Sequence, residues 1–290
     1  VGNATKPAQG SWVLKNRRVA LIATVVPFLL LGLLELLPGH FLPAIAYFVA
    51  AGIWALYVVP QVFGLPNGRK PFLEYCKDIR LLPVAPVGRN ILLGLLMAAL
   101  TLSSILLATF LTRHFVLDWG LVPALRWVKG LSRGVWEEVF FRGIALAILM
   151  RMYSRRKAVL WTNAIFALAH LGITDVTASA IVDVVSIFFM GLLFTYVVLK
   201  TGSLLPAIVF HYVHDVFVLL VQNAPGASEP MASALLFGFL WTALAVGAVL
   251  TRSIVEHWPA PDLSVHDGEG ISPNAGRLAS VCGRRTRVSR

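Results

Sequence analysis

Long apolar runs, broken by short polar segments rich in proline, glycine or basic residues, set the pattern of this chain and predict about eight membrane-spanning helices. The runs fall at about 19–37, 41–63, 90–111, 134–153, 158–171, 181–199, 204–222 and 232–254. Pro38 and Gly39 close the first, and Pro60 is expected to kink or stop the second. A polar loop at 64–89 holds Arg69, Lys70, Lys77, Arg80 and Arg89, with a short interfacial helix expected at 72–82. Segment 113–133 mixes Trp119 and Trp127 with Arg126 and Lys129 and is expected to lie in the membrane interface. The loop at 172–180 carries Asp175, and 223–230 reads as a turn-rich connection.

Composition agrees with an all-α polytopic membrane protein: 58% hydrophobic residues, only 13% charged, and a mean hydropathy of +0.78. The net charge of +11 does not indicate nucleic acid, because the cations cluster between apolar runs and form no basic stripe with exposed aromatics. Lys15, Arg17 and Arg18 before the first run, and Arg151, Arg155, Arg156 and Lys157 after the fourth, place both termini in the cytoplasm. The expected location is the plasma (inner) membrane of a prokaryote. Cys76 and Cys282 form no CxxC pair, which argues against a disulfide framework or a zinc knuckle. The reading divides the chain into a polar segment 1–18, a membrane domain 19–255 whose first run is a retained signal anchor, and a disordered basic tail 256–290 suited to anionic lipid.

Three charges break the rule of the fourth run, in Trp136-Glu137-Glu138-Val139-Phe140-Phe141-Arg142-Gly143. Each charge at the centre of a span costs roughly 2.5–3.5 kcal/mol on insertion scales, so ionisable residues there face a protein interior or a wet cavity. Glu138 and Arg142 are four apart in the favourable order and form a pair. Glu137 has Phe141 at that spacing and is the carboxylate left for chemistry. Glu35 is read as interfacial and Asp183 as lying at the start of the sixth run.

His170 ends the fifth run, while His211 and Asp215, also four apart, share one face of the seventh. His214 flanks them. At about 1.5 Å per residue from the inner ends, His211 lies about 10 Å deep, Asp215 about 16 Å, His170 about 18 Å and Glu137 about 25 Å, depths that roughly overlap. A carboxylate beside a histidine can take a proton from water, and a second histidine can stabilise the oxyanion formed when that water attacks a carbonyl. Peptide-bond hydrolysis inside the membrane is the reaction class this suggests. Glu137, His170 and His211 are equally a ligand set for a divalent metal such as zinc, and spacing leaves both readings open.

The EExxxR pattern at Glu137, Glu138 and Arg142, the FxxxH pattern at Phe166 and His170, and the HxxxN/D pattern at His211 and Asp215 together resemble the CPBP family of intramembrane proteases, which includes the CAAX prenyl protease. The resemblance covers about 72–222. It implies a glutamate-dependent endopeptidase with no obligatory metal, in which Glu137 and His170 activate water, His211 and residue 215 form the oxyanion site, and Glu138 and Arg142 support them. CAAX-cleaving members tend to carry Asn where this chain has Asp215, so Asp215 is expected to orient His211 instead. The implied partner is a protein or peptide substrate, prenylated or bearing a C-terminal sorting segment, within membrane lipid. A non-hydrolytic peptide-binding or bacteriocin-immunity protein is the alternative from another class.

Overall fold

A computed structural model describes residues 41–63, 65, 68–82, 86–112, 115–117, 124–170, 178–218, 220–223 and 229–257, with isolated positions at 19, 21, 22, 25, 26 and 30. Most of the expected first span, Glu35, Asp175 with the loop up to 177, the segment 1–18 and the tail from 258 lie outside the described residues. Helix α1 (Phe41–Ile53) widens into a π-turn, π1 (Trp54–Val58), before α2 (Val59–Val62). Helices α3 (Arg69–Asp78) and α4 (Val87–Thr112) follow, then strand β1 (Phe115–Leu117). The glutamates end α5 (Ala124–Glu138), which runs through a second π-turn, π2 (Val139–Ala145), into α6 (Leu146–Met152). The described chain is completed by α7 (Arg155–Ala169), α8 (Ala178–Thr201), α9 (Leu205–Val218), β2 (Val221–Asn223) and α10 (Glu229–Glu256).

Among the described residues, four helical stretches are long and apolar enough to cross a membrane: Leu42–Val62, Val87–Leu107, Ala180–Thr201 and Gly238–Glu256. The eight-span expectation is thus matched at four places. Helices α7 and α9 have 15 and 14 residues, about 22 Å and 21 Å, short of a hydrocarbon core of about 30 Å. Within the segment expected at the membrane interface, 113–133, the residues from Ala124 onward are one helix with Glu137 and Glu138, and Gly130 and Ser132 are buried. An antiparallel pair, Phe115 opposite Asn223 and Leu117 opposite Val221, ties the chain leaving α4 to the chain leaving α9.

Pro60 acts through the hydrogen-bond register rather than as a simple stop. In π1 the Val59 N–H bonds to the Trp54 carbonyl, and the next bond in that register would need an N–H that proline lacks. The Ala55 carbonyl is satisfied instead by the Tyr75 hydroxyl, which donates to it across 2.7 Å from α3. That bond docks the amphipathic α3, whose Tyr75 and Cys76 are buried while Arg69, Lys70 and Lys77 are exposed. Burial pushes the Cys76 thiol above its ordinary pKa. The core lies where Val139, Phe140, Phe141 and Ile144 of π2 meet Tyr47, Phe166, Phe194 and Phe210.

Candidate active site

Close helix approach positions the site. Helix α9 packs against both α4 and α5, and a Cβ placed on Gly134 would stand 2.9 Å from the Tyr212 backbone nitrogen, with one on Gly130 3.1 Å from the Val216 side chain. The spacing Gly130-Leu131-Ser132-Arg133-Gly134 is the small-xxx-small device that lets membrane helices touch backbone to backbone. One turn later on α5 come Glu137 and Glu138, and beside Tyr212 on α9 comes His211.

Glu138 and Arg142 are both fully buried, with Arg142 Nη1 3.1 Å from Glu138 Oε1. The same Oε1 accepts from His211 Nδ1 at 2.8 Å. A carboxylate acceptor fixes the hydrogen on Nδ1 and turns His211 Nε2 toward Glu137. The guanidinium also stacks 3.8 Å above the Phe166 ring and donates through Nη2 to Asn163 Oδ1 at 3.4 Å. Asn163 Nδ2 donates to Thr195 Oγ1 at 3.0 Å and to the Val159 carbonyl at 2.9 Å. Gly191 leaves room for this group, since a Cβ there would lie 2.8 Å from Arg142 Nη2. Glu138 Oε1 and both Arg142 Nη atoms are thus engaged, while Glu138 Oε2 and Arg142 Nε are buried without a hydrogen-bond partner; the contacts made hold the pair in one geometry.

Glu137 points the other way, 13% exposed, with Oε2 3.6 Å from His170 Nε2 and 3.7 Å from His211 Nε2. Those gaps exceed a direct hydrogen bond, and Oε2 is buried without a hydrogen-bond partner. His170 ends α7, and its Nδ1 donates to the Phe166 carbonyl at 2.9 Å, so its Nε2 also faces the carboxylate. Asp215 Oδ2 lies 3.6 Å from His211 Nε2, and His214, stacked on Phe210 at 5.5 Å, is 3.6 Å from Asp215 Oδ1. The structure therefore gathers Glu137, Glu138, Arg142, His170, His211, His214 and Asp215 in one place. Of the two carboxylates beside His211, Glu138 makes the closer contact, 2.8 Å to Nδ1 against 3.6 Å from Asp215 to Nε2. Among the described residues, no group of three or more His, Cys, Asp or Glu side chains is arranged to hold a metal ion.

Residues 119–217 match the family model described as type II CAAX prenyl endopeptidase Rce1-like. All three sequence motifs lie inside that stretch. The match supports assignment of this segment to the CPBP/CAAX protease family. No curated protein matches the chain. The Rce1-like segment runs from just before α5 to the end of α9, the elements that build the site.

Sequence reasoning missed Asn163, Thr195 and the stacking role of Phe166. Asn163, Phe166 and His170 fall at helical spacing on one face of α7, a signal that the polar Asn163 belongs with the histidine. Thr195 gives no such signal, because a threonine hydroxyl in an apolar helix commonly bonds its own backbone.

Proposed function

We propose that this protein is an intramembrane endopeptidase that hydrolyses a peptide bond in the C-terminal or membrane-embedded part of a protein or peptide, with Glu137 as its base. The observation that carries this reading is the convergence of both imidazole Nε2 atoms on a buried carboxylate oxygen that has no hydrogen-bond partner, Glu137 Oε2. Separations of 3.6 and 3.7 Å let a single water off the line reach Oε2 and a histidine at ordinary hydrogen-bond length. Glu137 takes a proton from that water while His170 holds it, and the oxygen attacks the scissile carbonyl. The resulting oxyanion is stabilised from the His211 side. Glu137 then returns the proton to the departing amine as the carbon–nitrogen bond breaks, which balances the hydrolysis.

Glu138 and Arg142 act one step back, fixing the tautomer and aim of His211. Asp215 sits on the Nε2 side of His211 and, as a carboxylate, cannot donate to an oxyanion; its place in the scheme is to stabilise a positive charge on that ring. The substrate fitting the family is a peptide with a processed C-terminus, prenylated or not.

The test is cleavage of a panel of prenylated and unprenylated C-terminal peptides by the purified protein, read by mass spectrometry with and without a chelator. Cleavage that survives the chelator supports the glutamate scheme. Cleavage lost to the chelator and restored by zinc would make Glu137, His170 and His211 ligands, and no cleavage of any peptide would favour the binding-protein alternative.

A further inference from the structure

A second polar cluster gathers where α3 and α6 end and α7 begins, remote from the glutamates. Arg151 follows Glu138 along one continuous helical path, about 20 Å away at 1.5 Å per residue. Asp78 closes α3, and its Oδ2 lies 2.8 Å from Arg151 Nη2 on α6. Arg151 Nη1 also donates to the Ala147 carbonyl at 3.0 Å, which fixes the guanidinium. Arg80 Nη1 donates to the Asp78 carbonyl at 3.4 Å. Arg155, at the start of α7, is close enough for its charge to act on Arg80, as is that of Arg151. Arg151 thus pairs with the Asp78 carboxylate and Arg80 with its backbone carbonyl, with the charge of Arg155 close to Arg80.

The backbone is bent to make this arrangement. Arg80 has φ of 60°, the left-handed region that non-glycine residues enter at a cost, and such strain gathers at functional positions. Its carbonyl is pinned by the Leu204 N–H at 3.0 Å. Burial, with Arg151 and Arg155 adding to it against Asp78, lowers the Arg80 pKa. Helix stability does not explain the cluster, because Arg155, Arg156 and Lys157 fill the first turn of α7, where the macrodipole disfavours cations.

We propose that Arg80, Arg151 and Arg155 form a binding site for the phosphate of an anionic phospholipid headgroup at the membrane–water interface. Guanidinium forks match phosphate oxygens, and basic pockets between membrane helices at this level take anionic headgroups. A lipid, rather than free phosphate, fits the surroundings: Phe72 and Leu73 on α3 and Tyr153 beside α6 are exposed large side chains that acyl chains can cover.

The test is thermal unfolding of the full chain in neutral detergent, titrated in separate arms with phosphatidylglycerol, phosphatidylcholine and inorganic phosphate. Phosphatidylglycerol should raise the Tm at the lowest concentration, and Arg155→Gln, an exposed change that leaves the core intact, should weaken that response at least tenfold, as should Arg80→Gln. Arg69→Gln, on the exposed face of α3, should leave it within twofold. An equal loss in Arg69→Gln would overturn the site in favour of diffuse surface charge. Equal responses to phosphatidylglycerol and phosphatidylcholine would overturn the anionic preference, and a matching response to inorganic phosphate would overturn the lipid assignment.

Discussion

Glu137 and Glu138 are neighbours in the chain, yet they stand in opposite kinds of surroundings. Glu138 is sealed: side-chain exposure is 0%, with bonds of 2.8 Å and 3.1 Å to His211 and Arg142. Glu137 is 13% exposed, its nearest polar neighbours stand at 3.6 and 3.7 Å, and one of those, His170, is a third exposed. Each glutamate keeps one buried oxygen without a hydrogen-bond partner. The difference is that Glu138 is fully buried with its other oxygen paired to a cation and an imidazole, whereas Glu137 is partly exposed with its imidazoles a water's reach away, the condition for chemistry. Changes on the sealed side should therefore be felt in stability, and changes on the open side in turnover.

The largest expected effect is from Arg142→Ala. It strands Glu138 without its cation in the protein interior and should cost about 3–5 kcal/mol, seen as a collapse of the melting temperature in detergent. Near-normal melting would break the contrast. His170→Ala, on the open side, should lower peptide cleavage roughly 100-fold and leave the melting temperature close to wild type; a loss of fold there would put His170 in the sealed network. Gly191→Ala tests the packing around the guanidinium, since its methyl group would push against Arg142 Nη2. It should destabilise by about 1–3 kcal/mol, read by chemical or thermal unfolding. The smallest effect belongs to Thr195→Val, which removes one partner of Asn163 while the Val159 carbonyl keeps the other. A loss of about 1 kcal/mol is expected, with cleavage per folded molecule unchanged.

Much of this contrast was legible in the sequence because helical spacing alone separates the glutamates: Arg142 lies four residues beyond Glu138, and Phe141 four beyond Glu137. The three polar motifs likewise announced themselves as charges and histidines in apolar runs. Less legible was what depends on contact between helices distant in the chain. That His211 Nδ1 bonds to Glu138 and not to its own i+4 neighbour Asp215 follows from how α9 sits on α5, and that follows from Gly130 and Gly134. Hydropathy alone does not separate spans from buried segments either, since an apolar segment buried within the protein, such as π2 with all seven residues buried, has the composition of one facing lipid. The β1–β2 pair was invisible because three residues carry too little pattern to distinguish a strand from a helix end.

The most direct test of the account is to measure peptide cleavage and thermal melting together for Glu137→Gln and Glu138→Gln. Glu137→Gln should lose roughly 10²- to 10⁴-fold in turnover while melting like the wild type, and Glu138→Gln should lower the melting temperature. Glu137→Gln that cleaves at a near-normal rate, or that unfolds as readily as Glu138→Gln, would contradict the assignment of Glu137 as the base.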